Sequence, residues 1–197
     1  MTAARRFGFK TPEHRSKTMA TELSGLLLRN LADELRAADF AVRTLVPLAL
    51  DAVGLPLDAE QLRGLAPITD VATADAANRA ALSAARRTEF AGAAFTACCA
   101  AARAARWAGG SANCASLVGR ELPAEASPVR NWVVETERTT ELAIGDAAVI
   151  SSGVPAGDWA TWVSIRQHAT ESVRQAVADF LRDEQWAGPE TKIERID

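Results

Sequence analysis

An all-α helical bundle is the fold class this chain predicts, and three observations predict it. Leu, Val and Ala recur at spacings of three and four from Leu23 to Val53, the period of a helix face buried against other helices. Alanine, the residue with the highest helix propensity, fills 18 positions between Val71 and Ala108. Helix punctuation stands where such elements would start and stop: Gly54 and Pro56, Asp58, Gly109–Gly110 and Asp158. The expected bundle rests on two long antiparallel helices. Two further long helices from the second half pack alongside, and short helices connect them.

The first long helix, Leu23 to Val53, places Leu28, Leu35, Val42 and Ala49 in alternation with Leu31, Ala38, Leu45 and Ala52. Arg29, Asp33, Arg36, Asp39 and Arg43 fall off that seam, where solvent is expected. Pro47 also falls off it and can kink the helix without interrupting the stripe. Beyond Gly54 and Pro56, Asp58 and Gln61 suit a capping box for a short helix, Ala59 to about Leu65.

The second long helix runs from about Asp70 to Ala108. Its seam is Ala74, Ala77, Ala81, Ala84, Thr88, Ala91, Phe95, Cys98, Ala102 and Ala105, with Phe90 and Phe95 as bulky anchors. Small side chains let a neighbour approach to an interaxial distance of about 8 Å, which makes the Leu-rich first helix a natural partner. Arg79, Arg86, Arg87, Arg103 and Arg106 spread over the outer faces and read as solvation. Gly109–Gly110 is expected to end the helix, with Ser111 capping a short one to about Val118.

A loop at Arg120–Ser127 precedes the most ambiguous stretch, Trp132 to Ile150. Its Val133, Val134, Thr136, Thr139, Thr140, Val149 and Ile150 are β-branched and suit strands. It contains no tight-turn pair such as Asn-Gly, so it reads as helix, with a β-hairpin insertion as the alternative. Asp158 then caps a last helix, Trp159 to about Trp186, with Trp162, Arg166, Ala169, Val173, Ala176 and Phe180 on its buried stripe.

The domain plan is a basic arm at 1–18, one helical domain at 19–187 and a polar tail at 188–197. In the arm, Arg5, Arg6, Lys10, Arg15 and Lys17 face Glu13 alone. At 197 residues the chain can bury a proper core. A net charge of −3 argues against a general nucleic-acid binder. Three cysteines, two of them adjacent, make no secreted disulfide framework. No apolar run follows the basic N-terminus, and Phe90–Ala102 is too short and Ala-rich to span a bilayer. A cytoplasmic location, with no membrane association, is the expectation.

Candidate chemistry is sparse. Glu135, Glu137, Glu141 and Asp146 are the acidic group that could hold Mg²⁺ if a second helix supplied Glu171, Asp179 or Asp183. Glu137 and Glu141 share a face, but Asp146 points away, and Arg138 is placed for ordinary ion pairing with Glu135 or Glu141. His168 and Glu171 reverse the Glu-x-x-His order of di-iron bundles and have no second copy. His14 lies in the arm. Cys98 sits on the small-residue seam as a packed thiol, and neither Cys-x-x-Cys spacing nor a nearby His supports zinc or thiol catalysis. No metal site or cofactor is expected. Trp132, Trp159 and Trp162, with Trp107 and Trp186 near helix ends, could line a ligand pocket, anchor a partner or fill the ends of the bundle.

The leading expectation is therefore a non-catalytic helical interaction or accessory protein that binds a protein partner or itself. A metal-dependent all-α hydrolase built on the helical carboxylates is the alternative, and a small-ligand sensor with a Trp-lined pocket is the third.

Overall fold

Three of the described helix starts, at Asn30, Asp70 and Asp158, carry side-chain caps. The computed structural model describes residues 23, 26, 28–88, 92–119, 127–155 and 157–183. Among them the regular structure is helical throughout, with no strand. The basic arm, His14, Phe90, Trp186 and the polar tail lie outside the described residues.

Helix α1 (Leu31–Phe40) begins at Leu31, not at Leu23. Asn30 accepts from the Asp33 amide at 2.9 Å, and Asp33 accepts from the Arg29 amide at 2.8 Å. These bonds satisfy helix-start donors reciprocally. Leu23, Leu26 and Leu28 are buried without belonging to the helix. Their spacing reports burial, which needs no helix.

The chain stays helical through a π-helical turn, Ala41–Leu45, into α2 (Val46–Ala52). The Val46 amide bonds to the Ala41 carbonyl five residues back. Pro47 has no N–H to offer, so the wider turn forms where the α-ladder is already short of a donor. Pro47 is consequently buried rather than off the seam, and Val46 and Leu50 join the core beside Leu45 and Ala49. Arg36, Asp39 and Arg43, expected in solvent, are partly covered. Asp39 pairs with Arg43 at 3.1 Å and accepts from the Ile68 amide at 2.9 Å, tying the following loop to this helix.

Helix α3 (Pro56–Arg63) starts at Pro56 with no side-chain cap. Asp58 is not a cap; it is buried and meets Arg87 Nε at 2.7 Å. Helix α4 (Val71–Arg87) opens with a capping box between Asp70 and Thr73. It ends at Thr88, whose hydroxyl donates to the Ala85 carbonyl at 2.7 Å. Helix α5 (Gly92–Val118) starts at a glycine in the left-handed region, φ +55. The single helix expected over Asp70–Ala108 is thus two helices folded back on each other.

Gly109–Gly110 does not end α5. A Cβ on Gly109 would lie 2.9 Å from the Cβ of Ala74, so α4 and α5 approach closely at this glycine. Because Ala74 is near the start of α4 and Gly109 late in α5, the pair is antiparallel. Buried Ala77, Ala81, Ala84, Ala101, Ala104 and Ala105 continue the contact. The first helix packs on α5 from another side.

The β-branched stretch is helix, as α6 (Val129–Ser152). Thr136 and Thr139 donate to the carbonyls of Trp132 and Glu135, each at 2.7 Å. Those bonds satisfy buried hydroxyls inside the helix itself. Gly153 closes α6 in the left-handed region, φ 66.

The last helix is also divided, into α7 (Trp159–Ala169) and α8 (Glu171–Arg182). Thr170 is the joint, its hydroxyl turned to the Arg166 carbonyl at 3.0 Å. Of the expected stripe, Val173 is fully buried; Trp162, Arg166, Ala169, Ala176 and Phe180 are half-buried, and Val177 joins the core instead. Phe180 stacks on Phe40 with ring centres 4.1 Å apart, and Arg36 pairs with Asp183. These contacts fix α8 to α1.

The two adjacent glycines of α5 permit a controlled test. Ala at either position gains about 1 kcal/mol of helix propensity. Gly110 has nothing within 4 Å of its added Cβ, whereas Gly109 meets Ala74. Gly110→Ala is expected to stabilise the protein by about 0.5–1 kcal/mol, and Gly109→Ala to destabilise it by about 1 kcal/mol through overpacking. Denaturant unfolding of both variants measures the difference; equal stabilities would mean the helices do not meet at Gly109.

Candidate functional site

Glu135, Glu137, Glu141 and Asp146 of α6 are each engaged by something other than a common centre. Glu135 takes a two-pronged bond from Arg138, with distances of 3.0 and 2.7 Å. Glu137 is 2% exposed and accepts from the Leu23 amide at 3.2 Å. It anchors the chain ahead of α1 to the middle of α6. Glu141 lies 3.9 Å from Arg174, which also holds Glu171 at 3.2 Å. Asp146 pairs with Arg166 of α7.

His168 is exposed on the rim of an open groove between α6 and α7, beside Ala148, Ser164 and Ile165. Glu171 stands beyond the Thr170 joint, at the start of α8. Among the described residues no three of His, Cys, Asp and Glu converge on a point where a metal could sit. Asp146 and Glu141 instead pair across to α7 and α8.

The tryptophans separate into different surfaces. Trp159 and Trp162 stack at 6.2 Å on α7. Trp162 is half-buried and its Nε1 is covered without a hydrogen-bond partner among the described residues. Trp107 is half-exposed on α5. Trp132 lines a groove of about 320 Å³ between α5 and α6, with the guanidinium of Arg103 4.6 Å above its ring. The groove that Trp132 lines is bordered by none of the other tryptophans.

Helix α7 has an unusual relation to the core. Asp158 caps it through the Thr161 hydroxyl at 2.6 Å and the Thr161 amide at 3.2 Å. The same bonds, the hydroxyl first, hold the Asp158 carboxyl below the usual aspartate range. Gly145 of α6 receives the Arg166 stem closely: an added Cβ there would lie 3.1 Å from Arg166 Cγ. Yet none of the 11 residues of α7 is fully buried. Trp159 is 66% exposed, Val163 is also exposed, and Ile150, at the adjoining end of α6, is 80% exposed.

Arg103, Ile150 and Val163 are the residues a reading of the chain alone passes over. Arg103 looks like one more solvating arginine until α5 and α6 are laid side by side. Ile150 carries a strand-like signal that hides its position at a helix end. Compared with known proteins, the chain matches no family model, no curated protein and no solved structure. Among the described residues no helix is long and apolar enough to cross a membrane.

The thiols differ sharply in environment. Burial pushes Cys98 up to about 12, and raises Cys99 less, with the nearby Arg103 charge opposing the rise. Cys114 is exposed. Alkylation with iodoacetamide followed by mass spectrometry is expected to modify Cys114 first, Cys99 next and Cys98 last.

The buried position of Glu137 gives a second expected outcome. Glu137→Ala leaves the Leu23 amide without its acceptor and is expected to cost about 1–3 kcal/mol in denaturant unfolding. A variant as stable as the parent would show that Glu137 is not a structural anchor.

Proposed function

We propose that the protein is a non-catalytic helical interaction or accessory protein. It engages a protein partner, or a second copy of itself, through the outer face of α7 and the adjoining end of α6. The observation that carries this reading is the exposure of α7. A capped, regular helix with no fully buried residue displays Trp159 and Val163 outward, and Ile150 is exposed near the end of α6 that leads into it. Exposed apolar groups gathered at one end of a helix pair are typical of contact surfaces, and tryptophan is over-represented among residues that dominate binding energy.

The Leu-rich seam of the first helix is not the docking face. Leu28, Leu35, Ala38, Val42, Leu45 and Ala49 are all buried within the chain. Self-association and partner binding therefore fall to the outer faces.

A cytoplasmic setting accompanies this reading. Its support is that Cys98, Cys99 and Cys114 are all free thiols, the usual state in a reducing compartment. The metal-dependent hydrolase reading has weaker support, because its carboxylates are held by Arg138, Arg166 and Arg174 and by the Leu23 amide. Addition of Mg²⁺ or Mn²⁺ is expected to leave the thermal midpoint unchanged; a rise on adding either ion would restore that reading.

The decisive comparison uses two variants of the full chain in affinity purification from the native host. One carries Ile150→Ser, Trp159→Ser and Val163→Ser; the control carries Leu57→Ser and Leu117→Ser, also at exposed positions. Both are expected to stay within about 0.5 kcal/mol of the parent in stability, as surface changes usually do. The first should lose the captured protein, or the larger native mass if the partner is a second copy, while the control retains it. Identical capture and identical mass in both would overturn the assignment.

A further inference from the structure

The groove between α5 and α6 is formed by a different helix pair from the α7 face, and its chemistry is of another kind. Its lining includes Thr96, Cys99 and Ala100 from α5, with Asn131 and Trp132 from α6. Arg103 lies across the Trp132 ring at 4.6 Å. Stacking occupies the face of a guanidinium and leaves its in-plane N–H donors available at the edge. Arg103 has no ion pair among the described residues. The nearest acidic wall, Glu135, has both oxygens bonded by Arg138, at 3.0 and 2.7 Å. Glu135 is thereby held by Arg138, and Arg103 makes no ion pair with it.

We propose that this groove binds a small organic acid, an aromatic or otherwise planar monocarboxylate, with its carboxylate on the edge of the Arg103 guanidinium and its apolar body against Cys99, Ala100 and Trp132. A single cation without an ion pair among the described residues, beside a mainly apolar wall that also carries Glu135, fits a single negative charge on an apolar body better than a multiply charged phosphate. Asn131, which also lines the groove, has an amide that can donate to the carboxylate. The volume, about 320 Å³, is at the small end of ligand pockets and limits the ligand to roughly one ring with its substituent. The Thr96 hydroxyl is engaged by the Gly92 carbonyl at 3.3 Å and adds no competing polarity.

Cys99 reports occupancy directly, because it lines the groove while Cys114 lies elsewhere on α5 as an internal control. The full chain is alkylated with iodoacetamide in the presence of phenylacetate, phenylacetamide or inorganic phosphate, and the rate at each cysteine is followed by mass spectrometry. Phenylacetate at millimolar concentration is expected to slow Cys99 severalfold and leave Cys114 unchanged, as befits a small ligand with one ionic contact. Phenylacetamide and phosphate should not protect. Arg103→Gln should weaken the protection by about tenfold, the usual scale for losing a charge-assisted bond. Equal protection by the acid and the amide, protection by phosphate, or no protection by phenylacetate would each overturn the proposal. That comparison within the parent chain needs no variant, so it stands whether or not Arg103→Gln folds. Retained protection in a folded Arg103→Gln chain would overturn it as well.

Discussion

The small-residue surface of α5 is the constraint around which the other helices are placed. α4, α6 and the first helix all pack on it, and each can do so closely because alanine or glycine stands at the contact. Ala94, Ala97, Ala100, Ala101, Ala104, Ala105 and Ala108 are almost wholly withdrawn from solvent, and Gly109 admits Ala74 where even one methyl group would collide. Dispersion contacts between backbones at this range replace the larger side chains that a conventional core would use. The bulky residues are displaced to the periphery of that layer. Leu45, Leu50 and Leu62 fill one side, and Val173 and Val177 seat α8 on another.

This arrangement explains which features were legible in the chain. Helix class was legible because propensity, seams and caps agree. Asp70 and Asp158 cap the helices that their positions imply. Glycine was misleading because its two roles have one letter. Gly109 is a packing residue inside a helix, whereas Gly92 takes the left-handed conformation at a helix start. Only knowledge of the neighbouring helix separates them. Thr88 and Thr170 were equally opaque. Each turns its hydroxyl back to a carbonyl of the preceding turn, a bond open to any threonine in a helix. On α6 the same bond occurs without a break.

The candidate surfaces were less legible than the fold. Their residues come together across helices, and nothing local marks them. Glu137 and Glu135 are two positions apart, yet one anchors a buried amide and the other is clasped by Arg138 at the surface. The acidic group seen as a set in the chain is divided by the helix into separate structural tasks. Arg166, assigned to a buried stripe, carries out part of that division: its stem crosses Gly145 while its head meets Asp146. Among the described residues, Asp51–Arg63, Asp58–Arg87, Asp146–Arg166 and Glu141–Arg174 register one helix against another. The outward apolar face of α7 is left as the exception.

The π turn at Ala41–Leu45 works as a phase adjuster along the first helix. An α-helix advances about 100° per residue, so the one extra residue accommodated in the wide turn rotates everything after it relative to α1. Leu35, Ala38, Val42, Leu45 and Ala49 keep one seam, and Val46 and Leu50, which lie off that seam in the chain, join the same core after the turn. Such a helix tolerates substitution in that turn more readily than a change of length. Removing a single residue there would restore uniform winding and swing Leu50 and Ala49 away from α3, α5 and α6, so the number of residues between Phe40 and Pro47 carries as much structural information as their identity.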